Sequence, residues 1–276
     1  MLIEFLKSAL FGIVEGITEW LPISSTGHMI LLEELVHMNV SEAFWEMFLV
    51  VIQLGAIMAV VVLYFDRLNP FSKKKSADEK KSTWQLWIKM IIGIIPAAVV
   101  GLLFDDWFDE HFYNFTTVAI TLILYGIAFI VVEYFNQKRT FKVERLEDLS
   151  YVQALIIGLF MVLSIVPGTS RSGATILGAS LIGISRAAAA EFSFFLAIPT
   201  MAGASLLKLV KYFLETGFGF SVLEIGVLLV GMIVAFAVSM IVIKFLMSYI
   251  RKHDFTAFGY YRIILGIIVL VYAALK

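Results

Sequence analysis

Residues 15–28 read Glu15-Gly-Ile-Thr-Glu19-Trp-Leu-Pro22-Ile-Ser24-Ser25-Thr26-Gly27-His28. Two carboxylates, four hydroxyls and an imidazole fall within 14 residues of a chain whose 276 residues are 61% hydrophobic and only 16% charged. A soluble domain carries about 25% charged residues. Ionisable groups at membrane depth are costly and face a bundle interior or a wet cavity, so these require a chemical or transport role. Pro22 interrupts the helix before it, and Ser-Ser-Thr-Gly caps the helix after it. Segments 5–20 and 23–36 are too short and too polar for ordinary spans. They predict a re-entrant helical hairpin, which is tolerated at depth only where protein or a cavity surrounds it.

Outward from this hairpin the chain is a series of apolar runs, at 47–65, 84–104, 115–132, 220–243 and 263–275. All but the last, which is 13 residues long, approach or exceed the ~20 residues that a bilayer-spanning helix needs. The alternation of a membrane barrel is absent. The predicted class is therefore all-α: a polytopic helical membrane protein with spans near 43–65, 84–104, 115–135, 190–212, 222–247 and 259–275. A second interruption, Val166-Pro167-Gly168-Thr169-Ser170-Arg171-Ser172-Gly173, lies between helical segments 152–166 and 173–183. Pro22 and Pro167 are 145 residues apart, as are Glu46 and Glu191, while Gly12/Gly158 and Gly27/Gly173 are 146 apart. The offsets predict an internal repeat, 1–140 and 150–276, each half a re-entrant hairpin plus three spans within one membrane domain. An odd number of crossings makes the halves inverted relative to each other.

Charge placement fits that topology. Loops 66–83, 136–151, 184–189 and 248–258, with the adjoining helix ends, hold 16 of the 21 Lys and Arg. The other side holds Lys7, Lys208, Lys211 and Lys276, and loop 105–114 has four carboxylates without a Lys or Arg. The positive-inside rule makes the basic side cytoplasmic. The hairpins then enter from opposite faces, and their tips meet near the midplane. The first apolar run contains Glu15 and Glu19 and no small-residue cleavage site, so no cleavable signal peptide is expected. With no cysteine, disulfides, thiolate catalysis and thiolate-bound metals are excluded. A net charge of −1 and the lack of a basic patch with interleaved aromatics give no sign of a nucleic-acid partner.

The two breaks read as one site. Glu15 and Glu19, at i and i+4, share a helix face. Unpaired, they would repel and one would protonate. A shared divalent cation, Mg²⁺ or Ca²⁺, would remove the conflict; hydrogen bonds to backbone and hydroxyls are the plainer account. Ser24, Ser25 and Thr26 exceed the single hydroxyl that capping needs, and with Gly27 they open a helix start that aims N–H groups at an anion. His28, three residues after Ser25, has the spacing of a base beside a hydroxyl nucleophile. Arg171 is the only cation of the second break, and its planar fork matches a phosphate or pairs with Glu15 or Glu19. Thr169, Ser170 and Ser172 add hydroxyls, Gly168 and Gly173 allow close backbone approach, and Gln53 lines the site from mid-span. His37, His111 and His253 read as surface residues. The set suits a phosphorylated head group held at depth with its hydrocarbon between helices, hence hydrolysis of a lipid phosphate or diphosphate. A secondary transporter or lipid flippase is the alternative that the inverted repeats allow.

The motifs Glu15-Gly-Ile-Thr-Glu19-x-Leu-Pro-x-Ser-Ser25-Thr-Gly-His28 and Pro167-Gly-x-Ser-Arg171-Ser-Gly-Ala-Thr resemble those of the undecaprenyl-diphosphate phosphatase family, known for bacitracin resistance. Val51-Ile-Gln53-Leu-Gly and Ala190-Glu191-Phe-Ser-Phe-x-Leu-Ala-Ile-Pro199 are similar to that family as well, and the resemblance runs nearly end to end. It implies a bacterial inner-membrane enzyme that converts undecaprenyl diphosphate to undecaprenyl phosphate, recycling the lipid carrier of peptidoglycan synthesis. It implies inverted repeats, a divalent cation and a site open to the outer face. It makes Glu15 and Glu19 the motif carboxylates, Ser25 the nucleophile, His28 the motif histidine and Arg171 the phosphate ligand. On that reading Ser25 attacks with help from His28; His28 as acceptor, or direct attack by metal-activated water, are the other routes. The oligomeric state is left open, a homodimer included.

Overall fold

Hydroxyl caps set most of the helix starts in the computed structural model, which describes residues 1–137, 139–217 and 219–275, without the side chains of Asp105, Asp106 and Asp109. Helices α1 (Leu2–Thr18) and α2 (Ser25–Leu35) form the first hairpin. Ser41 caps α3 (Glu42–Val51), and α4 (Gln53–Leu63) continues it after a break at Ile52. A single turn, α5 (Phe65–Leu68), leads to the long α6 (Ala77–Phe112). Asn114 caps α7 (Phe115–Asn136). The second hairpin is α8 (Tyr151–Val162), opened by a Ser150/Gln153 capping box, and α9 (Arg171–Leu181). Ser185 caps α10 (Arg186–Thr216), a Ser221/Glu224 capping box opens α11 (Val222–Tyr249), and α12 (Thr256–Leu275) ends the chain.

Six helices among the described residues are long and apolar enough to cross a membrane: Glu42–Leu63, Ala77–Phe104, Phe115–Asn136, Arg186–Thr216, Val222–Tyr249 and Thr256–Leu275. This is a multi-pass membrane protein. The two hairpins stand apart from those six, as their length and polarity require. Residues 105–112 differ from expectation: they extend α6 instead of forming a loop. No Gly or Pro interrupts the helix there, and the chain turns only at Asn114, whose side chain accepts from Thr117 N–H.

Small residues let the helices close on one another, as association inside a bilayer requires. A Cβ on Gly55 of α4 would sit 2.1 Å from the Met232 carbonyl oxygen of α11, and one on Gly158 of α8 would sit 2.2 Å from that of Gly93 in α6. On the second hairpin, every α9 residue from Ser172 to Ser180 is buried. Protein, not lipid, therefore surrounds its backbone.

The basic loops are tied down by ion pairs at one end of the bundle. Arg186 grips Glu133 through three contacts of 2.5–3.0 Å, Arg67 bonds both Glu191 and Glu147, and Lys89 donates to the carbonyls of Leu146 and Glu147. Lys138 and Lys276, counted above, lie outside the described residues, as do the side chains of Asp105, Asp106 and Asp109.

Candidate active site

Ser24 and Ser170 are the two non-glycine residues with positive φ among those described, at 75° and 73°. This backbone is unfavourable for a residue with a Cβ. Each serine sits at the N-cap of a half-helix, and its Oγ accepts the N–H three residues on, from Gly27 and Gly173 respectively. The two breaks are thus built alike, at positions 146 residues apart. Gly168, at φ 86°, is the tightest point: a Cβ there would come 2.1 Å from Thr121 Oγ1.

These turns bring the two hairpins into contact. Arg171 donates through Nη2 and Nε to Glu19 Oε1, at 3.0 and 3.3 Å. Its Nη1 donates to the Ser193 carbonyl at 2.6 Å. Glu19 Oε2 accepts from Ser25 Oγ at 2.5 Å. Ser172 Oγ reaches across to the carbonyls of Glu19 and Leu21, at 3.1 and 3.3 Å. Glu19 and Arg171 side chains are 6% and 10% exposed, so the pair shields charge that neither could carry alone at this depth.

Glu19, Ser25, Thr26, Gln53, Gly168, Ser170 and Arg171 line a cavity of about 540 Å³. The other expected residues stand behind its wall. Ser24 and Gly27 make the first cap, while Gly173 closes the second and Ser172 bonds Ser170. Thr169 lends its carbonyl to Arg262.

His28 departs from its expected place. Its Nδ1 lies 2.6 Å from the Ser24 carbonyl, its Nε2 lies 2.7 Å from Tyr261 Oη, and its ring stacks on that tyrosine. A carbonyl only accepts, so Nδ1 carries a proton, and Nε2 is paired with the Tyr261 hydroxyl. The group against Ser25 Oγ is Glu19. The left-handed Ser24 turns the start of α2 so that Ser25 points back across the break, while His28 folds onto the cap carbonyl.

Glu15 is 1% exposed, and its Oε1 has no hydrogen-bond partner among the described residues. A buried carboxylate oxygen left bare is costly. Glu19 lies one helical turn away. No group of three His, Asp or Glu converges anywhere among the described residues. Mg²⁺ is commonly held by one or two carboxylates with substrate phosphates and water completing the shell. Glu15 and Glu19 fit that donor set.

The motifs do not single out Arg262, which by sequence falls among the cations of the basic side. It is fully buried in α12, donating to the carbonyls of Pro22, Gly168 and Thr169 at 2.8–3.0 Å and lying over the Tyr125 ring. One guanidinium therefore staples both breaks. The available signal was a cation within the predicted span 259–275.

Fold and site together define a multi-pass helical membrane protein in which two interrupted hairpins close on one buried acid–hydroxyl–guanidinium centre. The chain belongs to the family described as bacitracin resistance protein BacA, whose sequence profile matches residues 8–268. An undecaprenyl-diphosphatase of Acetivibrio thermocellus is 61% identical over 271 residues, 98% of each chain. One from Enterococcus faecalis is 60% identical over 266 residues, 96% of each. Another, from Streptococcus mutans, is 60% identical over 274 residues, 99% of this chain and 97% of the relative.

Proposed function

We propose that this protein hydrolyses undecaprenyl diphosphate to undecaprenyl phosphate and inorganic phosphate, and so returns the lipid carrier to cell-wall synthesis. It is a membrane phosphatase, consistent with the bacitracin resistance for which the family is named. The observation that carries the mechanism is Glu19 held between Ser25 Oγ and Arg171. A hydroxyl is a weak nucleophile until a neighbouring base takes its proton, and the 2.5 Å contact puts Glu19 in that role. Ser25 Oγ attacks the terminal phosphorus, and its proton passes to Glu19. The bond from that phosphorus to the bridging oxygen breaks, releasing undecaprenyl phosphate. The departing undecaprenyl phosphate carries the proton off from Glu19. Glu19 then takes a proton from water, whose oxygen attacks the phosphoserine phosphorus. It returns that proton to Ser25 Oγ as the phosphorus–Oγ bond breaks and inorganic phosphate leaves.

Charge neutralisation on the transferring phosphoryl is the main task in such a reaction. Arg171 supplies it with a planar fork, aided by Ser170 and by the N–H groups that open α2 and α9. Glu15 and Glu19 are the residues that would hold a divalent cation, Mg²⁺ or Ca²⁺, which when bound would offset phosphate charge. His28, bonded to the Ser24 carbonyl, holds the strained cap and so the direction of Ser25. We read residues 1–140 and 150–276 as inverted repeats in a bacterial plasma membrane, the site opening on the face opposite the basic loops. The matching caps at Ser24 and Ser170 support that reading.

Phosphate release from purified protein tests the function directly. Undecaprenyl diphosphate should be turned over, with chelator lowering the rate; absence of release with and without divalent ions would contradict it.

A further inference from the structure

The cavity that holds Glu19 and Arg171 continues between α6 and α10, with Ala98, Gly101 and Leu102 on one wall and Thr200, Gly203 and Ala204 on the other. Toward the start of both helices the gap is shut. A Cβ on Gly93 of α6 would come 2.7 Å from Leu196 Cδ2 of α10, and Gly158 of α8 packs on Gly93 from the other side. About two turns further along each helix, a Cβ on Gly101 or Gly203 would meet nothing within 4 Å.

Each helix also contains a proline between the closed and open levels, Pro96 in α6 and Pro199 in α10. A proline inside a helix removes a backbone hydrogen bond and bends the axis. Both walls lie within the candidate spans, and Leu102 at the rim is 72% exposed, so the gap opens on hydrocarbon.

Glycine inside a helix is unfavourable and calls for a packing reason. Gly55, Gly93 and Gly158 have one, since protein atoms fill the space where a Cβ would stand. Gly101 and Gly203 have none, although both line the cavity that contains the catalytic groups. A chain lying in the cavity would fill the space beside them. Gly203 is ten residues beyond Ser193, the α10 residue that bonds Arg171, which places it about 15 Å along the helix from the phosphate end.

We propose that the substrate's prenyl chain leaves the site sideways through the α6–α10 gap, and that Gly101 and Gly203 hold the gap wide enough for a methyl-branched chain. This rests on the lipid-diphosphatase reading. Bulk at either glycine should then discriminate by chain and not by head group. Gly203→Trp should raise KM for undecaprenyl diphosphate about tenfold with kcat within about twofold, the pattern of lost uniform binding. The effect should shrink along a series of shorter prenyl diphosphates down to geranyl diphosphate. An equal loss at every chain length, or an unchanged KM, would overturn the proposal.

A second measurement needs no turnover. The chain has no cysteine, so Gly203→Cys introduces a lone thiol. Undecaprenyl phosphate should slow its maleimide labelling several-fold, and should leave Leu229→Cys, on the lipid-exposed side of α11, unaffected. Equal labelling with and without lipid would sink the gap even in an active enzyme. Slowed labelling in a protein that releases no phosphate would support the gap while removing the hydrolase reading.

Discussion

Glu19 holds one oxygen toward Ser25 and the other toward Arg171, so its two neighbours give separable predictions. Arg171→Ala removes donors aimed at developing charge and should lower turnover about 10²–10³-fold. Arg171→Lys should recover little of it, because an ammonium cannot replace the bidentate fork. Phosphate release at saturating lipid reads both. Under the proposed mechanism Glu19→Gln removes the base that takes the Ser25 proton, and turnover should fall by about 10²–10⁴, the contribution of a positioned base. His28→Gln should cost less, since its ring touches the Ser24 carbonyl and Tyr261 instead of Ser25. A larger loss at His28 than at Glu19 would reverse the assignment of the base.

At the scale of elements, Arg262 joins the two breaks by three hydrogen bonds to carbonyls. Arg262→Met leaves those carbonyls unsatisfied, at about 1–3 kcal/mol each. A marked drop in thermal stability in detergent is expected, together with lost activity; an unchanged melting transition would refute the staple. The hairpins themselves were legible in the sequence, because Pro, Gly and Ser inside apolar runs break and cap helices by known chemistry. Glu19 and Arg171 were legible for the same reason, as ionisable groups at depth. Arg262 was not, because it lies near the end of a span, where a snorkelling surface cation looks the same. The misplacement of His28 has a local cause. Spacing along an ideal helix predicts the neighbour of Ser25 correctly only if the cap is ordinary, and Ser24 is left-handed. The overrun of α6 past 104 shows the converse, that acidic residues lower hydropathy without ending a helix.

At the scale of the molecule, the six spans and the clustering of ion pairs at one end give the protein a polar face around Arg67, Lys89 and Arg186. The cavity reaches Lys208 on α10, far from that face. In intact cells, Lys208→Cys should therefore react with an impermeant maleimide and Lys74→Cys should not; the opposite pattern would invert the topology. Rapid-quench mass spectrometry on purified protein with undecaprenyl diphosphate tests most directly the claim that the two hairpins assemble a phosphatase around Ser25. The mechanism predicts a transient phosphate on the peptide that carries Ser25, formed no more slowly than turnover and absent from Ser25→Ala. Phosphate on His28, or steady turnover with no phosphorylated peptide, would contradict it.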